Sequence, residues 1–110
     1  MRFRSAIIPS VLIFLSLAAA AEESDQAYAK RMTAEAVPGC ASAGSAQLNL
    51  SAEAATSMCN CAFRRLFSEN PIKDLRAAAK AQDFAYSRKL MRPLMQACYE
   101  AETTKVKRGG

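Results

Sequence analysis

Hydrophobic positions along this chain recur with a helical period, and no stretch alternates apolar and polar residues with period two. The clearest segment runs from Ala52 to about Glu69, with Leu50 before it and Ser51 placed as its N-cap. At about 100° per residue, Ala55, Met58, Ala62 and Leu66 share one face, and Glu53, Asn60 and Arg64 share the opposite one. Upstream, a helix is expected from Ser24, as N-cap, to about Ala36. Its stripe, Tyr28 and Met32, is thin, and Val37-Pro38-Gly39 is a stop signal. Cys40 to Asn49, rich in Ala, Ser and Gly, then reads as a loop that Cys40 ties down.

Downstream, Asn70-Pro71 reads as an N-cap followed by proline at the first helical position. The short helix it opens runs to about Gln82 and is expected to bury Ile72, Leu75 and Ala79. Asp83 caps a fourth helix whose stripe is Phe84, Leu90, Met91, Leu94, Met95 and Cys98. Pro93 lies inside that stripe and predicts a kink or break near Lys89 to Arg92. The pattern therefore predicts an all-α fold, a small bundle of about four helices.

The first 21 residues follow a different pattern. Arg2 and Arg4 precede an apolar run from Ala6 to Leu17, and Ala18 to Ala21 offer small residues for cleavage. Residues 1–21 are thus expected to be a cleaved signal peptide. The run falls short of the roughly 18 to 20 residues that span a bilayer, and nothing later in the chain is long or apolar enough to do so. Residues 22–102 are then a single helical domain, and 103–110, with Lys105, Lys107 and Arg108, a flexible basic tail. This organisation implies export to the periplasm or the medium, without stable membrane insertion after cleavage.

Composition sharpens the picture in two ways. The chain has 15 Lys+Arg against 10 Asp+Glu, a net charge of +5, of which Arg2 and Arg4 belong to the leader. The remaining mild basicity does not amount to a nucleic-acid footprint. The roughly 89 residues left after the leader, one domain, also bury a modest share of their surface and need reinforcement.

Cys40, Cys59, Cys61 and Cys98 are an even set, which in an exported chain favours disulfides. Residues i and i+2 of a helix project about 200° apart, so a Cys59–Cys61 bond would require unwinding. Two pairings survive: Cys40–Cys59 with Cys61–Cys98, and Cys40–Cys61 with Cys59–Cys98. Either closes loops worth about 3 to 4 kcal/mol in the chain-entropy model. The alternative chemistry for Met58-Cys59-Asn60-Cys61 is a thiol redox pair or a soft-metal site. No histidine and no second cysteine cluster completes such a site, and the chain implies no cofactor.

The absence of histidine also excludes Ser-His and Cys-His acyl-transfer triads, and Glu69 with Asp74 does not form a recognisable catalytic pair. Met58, Met91 and Met95 occupy core-stripe positions. Arg64, Arg65, Arg88, Lys89 and Arg92 are a candidate basic surface for an anionic partner; interspersed acids also fit solvated helix faces. A leader, a lone cysteine, a Cys-x-Cys helix and a C-terminal helical cysteine resemble small secreted proteins of proteobacteria. In size and helical character the chain is also similar to periplasmic immunity proteins that neutralise type VI secretion effectors. That resemblance implies a non-enzymatic protein acting through a protein partner.

Overall fold

The computed structural model describes residues 23–109, with side-chain surroundings to residue 105, so the expected signal peptide lies outside the described residues. Four helices and no strand make up the described chain: α1 (Asp25–Leu48), α2 (Ala52–Glu69), α3 (Ile72–Lys80) and α4 (Phe84–Gly109). The fold is all-α, as the periodicity predicts. α2 is the hub: α1 packs along one flank and α4 along another.

Caps account for the starts of the helices. The hydroxyls of Ser24 and Ser51 accept the amides of Ala27 and Ala54, each at 3.1 Å. Asp83 Oδ1 accepts the Tyr86 amide at 3.2 Å. At the third helix the register differs by one residue from expectation. Pro71 is the N-cap, and Asn70 instead donates its side-chain amide to the Leu66 carbonyl, closing α2. The end of α3 is a Schellman turn, with the amides of Gln82 and Asp83 bound to the carbonyls of Ala79 and Ala78 and Gln82 in the left-handed region.

The core is built from Val37, Met58, Cys59, Ala62, Leu66, Leu75, Leu94 and Cys98. All four apolar residues assigned to the inner face of α2 are buried. On α3, Leu75 is buried, but Ala78 takes the inner place expected of Ala79, and Ile72 is half-buried. Phe84, expected in the stripe of α4, is 63% exposed, because it stands at the first residue of the helix, where the packed stripe has not begun.

The chain stays helical at three places where an interruption is expected. α1 does not end at Pro38 but runs through Cys40–Asn49, the expected loop, as far as Leu48. A proline inside a helix costs about 3 kcal/mol. Contacts on both sides of it offset that cost: Val37 before it is buried, and after it Cys40 bonds to Cys59 and Gly44 is packed on α2. The small residues that read as a loop let two helices approach closely. α4 likewise continues through Pro93, unbroken, and extends past residue 102 to Gly109, through the segment expected to be a flexible tail.

The cysteines pair as Cys40–Cys59 and Cys61–Cys98, with Cα atoms 6.1 and 6.0 Å apart. The first bond ties α2 to α1, the second ties it to α4. α3 has no such bond. Instead Arg76 Nη1 donates to the Glu23 carbonyl at 2.8 Å and to Asp25 Oδ1 at 3.1 Å, and its guanidinium lies 4.7 Å from the Tyr28 ring centroid. Tyr28 in turn meets Phe67 edge-on at 6.2 Å.

The two glycines of α1 separate the helix's faces. A Cβ at Gly39 would meet nothing within 4 Å, whereas at Gly44 it would lie 3.1 Å from Met58 Cε and 3.5 Å from Ala55 Cβ. Gly39→Ala is expected to stabilise the fold by about 0.5–1 kcal/mol through helix propensity. Gly44→Leu should destabilise it by about 1–3 kcal/mol through overpacking. Chemical denaturation of the two variants checks both signs.

Candidate functional site

Glu53, Asn60 and Arg64, the residues opposite the core on α2, form one wall of a large concavity. The other wall comes from α1, where Gln26, Ala29, Lys30, Thr33 and Ala34 recur at spacings of three and four and so share a face. Phe67 and Ile72 close the end toward α3. The result is an open groove of about 1220 Å³, lined by alanines and an aromatic edge, with Lys30, Arg64 and Glu53 along it. These three make no ion pair among the described residues.

The groove keeps its shape because its walls are fastened. Cys59 and Cys98 are fully buried, and Cys40 and Cys61 are half-buried. Both sulfurs of the Cys-x-Cys segment are engaged, each with a different partner, so neither thiolate is free to ligate a metal while the bonds stand. No group of three or more His, Cys, Asp or Glu side chains is placed to hold a metal ion among the described residues.

A second fastening is polar, and the sequence pattern does not reveal it. Glu102 is 7% exposed, and the Ser57 hydroxyl donates to its Oε1. Lys105 Nζ donates to the same oxygen at 3.1 Å. The Ser57 hydrogen bond holds the Glu102 carboxyl below the usual carboxylate range. Burial opposes that shift, and the Lys105 ammonium reinforces it. Ser57 also lines the groove. A carboxylate held in its charged form is a weak base, poorly matched to taking a proton from a serine hydroxyl. The pair is therefore suited to clamping α4 onto α2 rather than to activating a nucleophile.

The five residues of the candidate basic surface are not gathered in one place. Arg64 stands in the groove. Arg65 is paired with Glu69 at 2.6 Å, one turn along α2. Arg88, Lys89 and Arg92 do converge, on a cavity of about 290 Å³ on the outer side of α4, between Ala85 and Pro93. Near the N-terminus of α1 a further charged cluster forms, in which Arg31 binds both oxygens of Glu23 at 2.9 Å and lies 5.5 Å from the Tyr28 ring centroid. Compared with family models, curated proteins and solved structures, the chain matches none.

The Glu102 clamp has a defined pH signature. Its carboxyl titrates below the ordinary range in the folded state, so its stabilisation is complete above the unfolded value and is lost as pH falls through the folded one. Ser57→Ala is expected to cost about 1.5–3 kcal/mol at neutral pH, the range for a hydrogen bond to a charged group. The difference from wild type should narrow as Glu102 protonates in acid. Urea midpoints measured across that range test it, and a pH-independent difference would contradict the assignment.

Proposed function

We propose that this chain is an exported, non-enzymatic binding protein that presents the α1–α2 groove to a protein partner, as an inhibitor or immunity-type factor would. The observation that carries the reading is the groove itself: it is open, about 1220 Å³, and walled by two helices that a disulfide holds in register. A surface fixed in this way loses little conformational entropy on binding, the general advantage of preorganisation. Phe67 supplies an aromatic edge, and Lys30, Arg64 and Glu53 supply charges of both signs, a mixture that suits a protein surface.

Two disulfides are compatible with an oxidising compartment. The tripartite pattern of residues 1–21 supports export by a cleaved leader. No helix among the described residues is long and apolar enough to cross a membrane. The alternative, thiol redox or soft-metal handling by Cys59 and Cys61, requires both disulfides to open first, at a site where Cys59 is fully buried.

The experiment is capture of proteins from a periplasmic extract on the native chain, beside the Lys30→Glu/Arg64→Glu double variant. The expected outcome is one stoichiometric partner, bound at least about tenfold more weakly by the variant, as charge reversal at two interfacial positions demands. Thermal melting of the variant should match wild type. Thiol titration of the native, non-reduced protein should find no reactive cysteine, before or after denaturation. Two reactive thiols, or stoichiometric metal uptake by the untreated protein, would remove the scaffold reading.

A further inference from the structure

Phe84 is the most exposed of the large apolar side chains described, at 63%, and it stands at the corner where the α3–α4 turn delivers the chain into α4. Nothing in the proposed groove uses it. Cations flank it along the chain. Lys80 ends α3 four residues earlier and is exposed. Arg88 and Arg92 follow at one and two helical turns, on the same side of α4. Lys89 joins Arg88 and Arg92 around the cavity of about 290 Å³, and all three are exposed.

None of these four cations takes part in an ion pair or a side-chain hydrogen bond among the described residues. Arg31, Arg65, Arg76 and Lys105 have acidic partners, whereas Lys30, Arg64 and Lys73, like these four, make no ion pair among the described residues. From Phe84 to Tyr99 the chain contains no acidic residue. Asp83, the residue before Phe84, accepts the Tyr86 amide on Oδ1 at the start of α4. Glu69, the last residue of α2, is paired with Arg65.

We propose that this corner docks the protein on the surface of an anionic phospholipid bilayer, with Phe84 entering the interface and Lys80, Arg88, Lys89 and Arg92 meeting headgroup phosphates. An exposed apolar aromatic side chain beside a group of cations is the composition that interfacial binding favours. Arg88, Lys89 and Arg92 gather around one small cavity rather than forming a long stripe that follows a phosphate backbone, which favours a lipid surface over a nucleic acid. The docking is peripheral and reversible, because one aromatic ring and a few cations do not insert a protein. It does not rest on the groove having a partner.

The test is co-sedimentation of the native chain with vesicles of phosphatidylcholine alone and of phosphatidylcholine and phosphatidylglycerol mixed two to one. Any membrane affinity of residues 1–22 is common to every variant and cancels between them. Wild type is expected to prefer the mixed vesicles, with a preference that falls with added salt. Arg88→Gln/Arg92→Gln should weaken mixed-vesicle partition roughly 30-fold, and Phe84→Ser roughly tenfold. Lys30→Gln/Arg64→Gln, which removes the same charge from the groove, should weaken it far less and so separates local docking from net charge. All substituted side chains are exposed, and far-UV circular dichroism confirms that each variant is folded. Equal partition into both vesicle types would overturn the proposal, as would equal losses in the two double variants. Tighter binding to duplex DNA than to mixed vesicles, lost in Arg88→Gln/Arg92→Gln, would overturn the lipid assignment.

Discussion

Cys59 and Cys61 stand two residues apart on α2, and that spacing turns their sulfurs to different flanks of the helix. One bond leads to α1 and the other to α4, so a single helical turn fixes the three longest elements of the domain relative to one another. In the chain-entropy picture the two loops, of 19 and 37 residues, contribute about 3 and about 4 kcal/mol. Their sum is comparable to the whole net stability of a typical small domain. The rest of the fold follows from having α2 held in this way. Ala55 and Ala62 on its inner face are small enough for α1 and α4 to approach, and Met58 fills the gap between them.

This constraint explains how α1 and α4 can contain features that ordinarily end helices. Pro38 removes one amide donor from α1, yet two residues later Cys40 is covalently held against α2, and Gly44 is packed one turn beyond that. In α4 the same balance holds around Pro93, with Leu94 buried beside it and Cys98 bonded one turn on. Tertiary anchoring on the C-terminal side of each proline outweighs the missing backbone hydrogen bond. α3 shows the converse. It has no disulfide, is only nine residues long, and is held by Leu75, Ala78 and the clasp of Arg76 on the start of α1.

How much of this was legible in the sequence depends on the range of the interaction that decides each feature. The inner face of α2, the caps at Ser24, Ser51 and Asp83, and the exclusion of a Cys59–Cys61 bond rest on local geometry, and all agree with the fold. Local pattern ends α1 too early, because Pro38-Gly39 is a strong local stop and its small-residue continuation carries almost no hydrophobic periodicity. What overrides the stop is contact with α2. Choosing between the two disulfide pairings required knowing which flank of α2 each neighbour occupies, a property of topology. The Ser57–Glu102 bond spans 45 residues. Glu102 reads as an ordinary solvated acid until the partner helix is placed over it. Of the candidate basic residues, the pattern grouped five, but only the local set of Arg88, Lys89 and Arg92 converges.

The same partition of roles extends to the surfaces. The groove lies between α1 and α2, whose register depends on Cys40–Cys59. The cationic corner lies on α3 and α4, and α4 is held to α2 by Cys61–Cys98 and, at its far end, by the buried Glu102. Each surface is therefore supported by a different covalent bond, with α2 as the common reference. Opening the first bond would loosen the wall that carries Lys30 while leaving α4 clamped. Opening the second would free α4 from α2 around Cys98 while leaving the groove walls joined. A cysteine spacing of two residues is what makes this separation possible, because a spacing of three or four would send both bonds to the same flank and leave one neighbour unfastened.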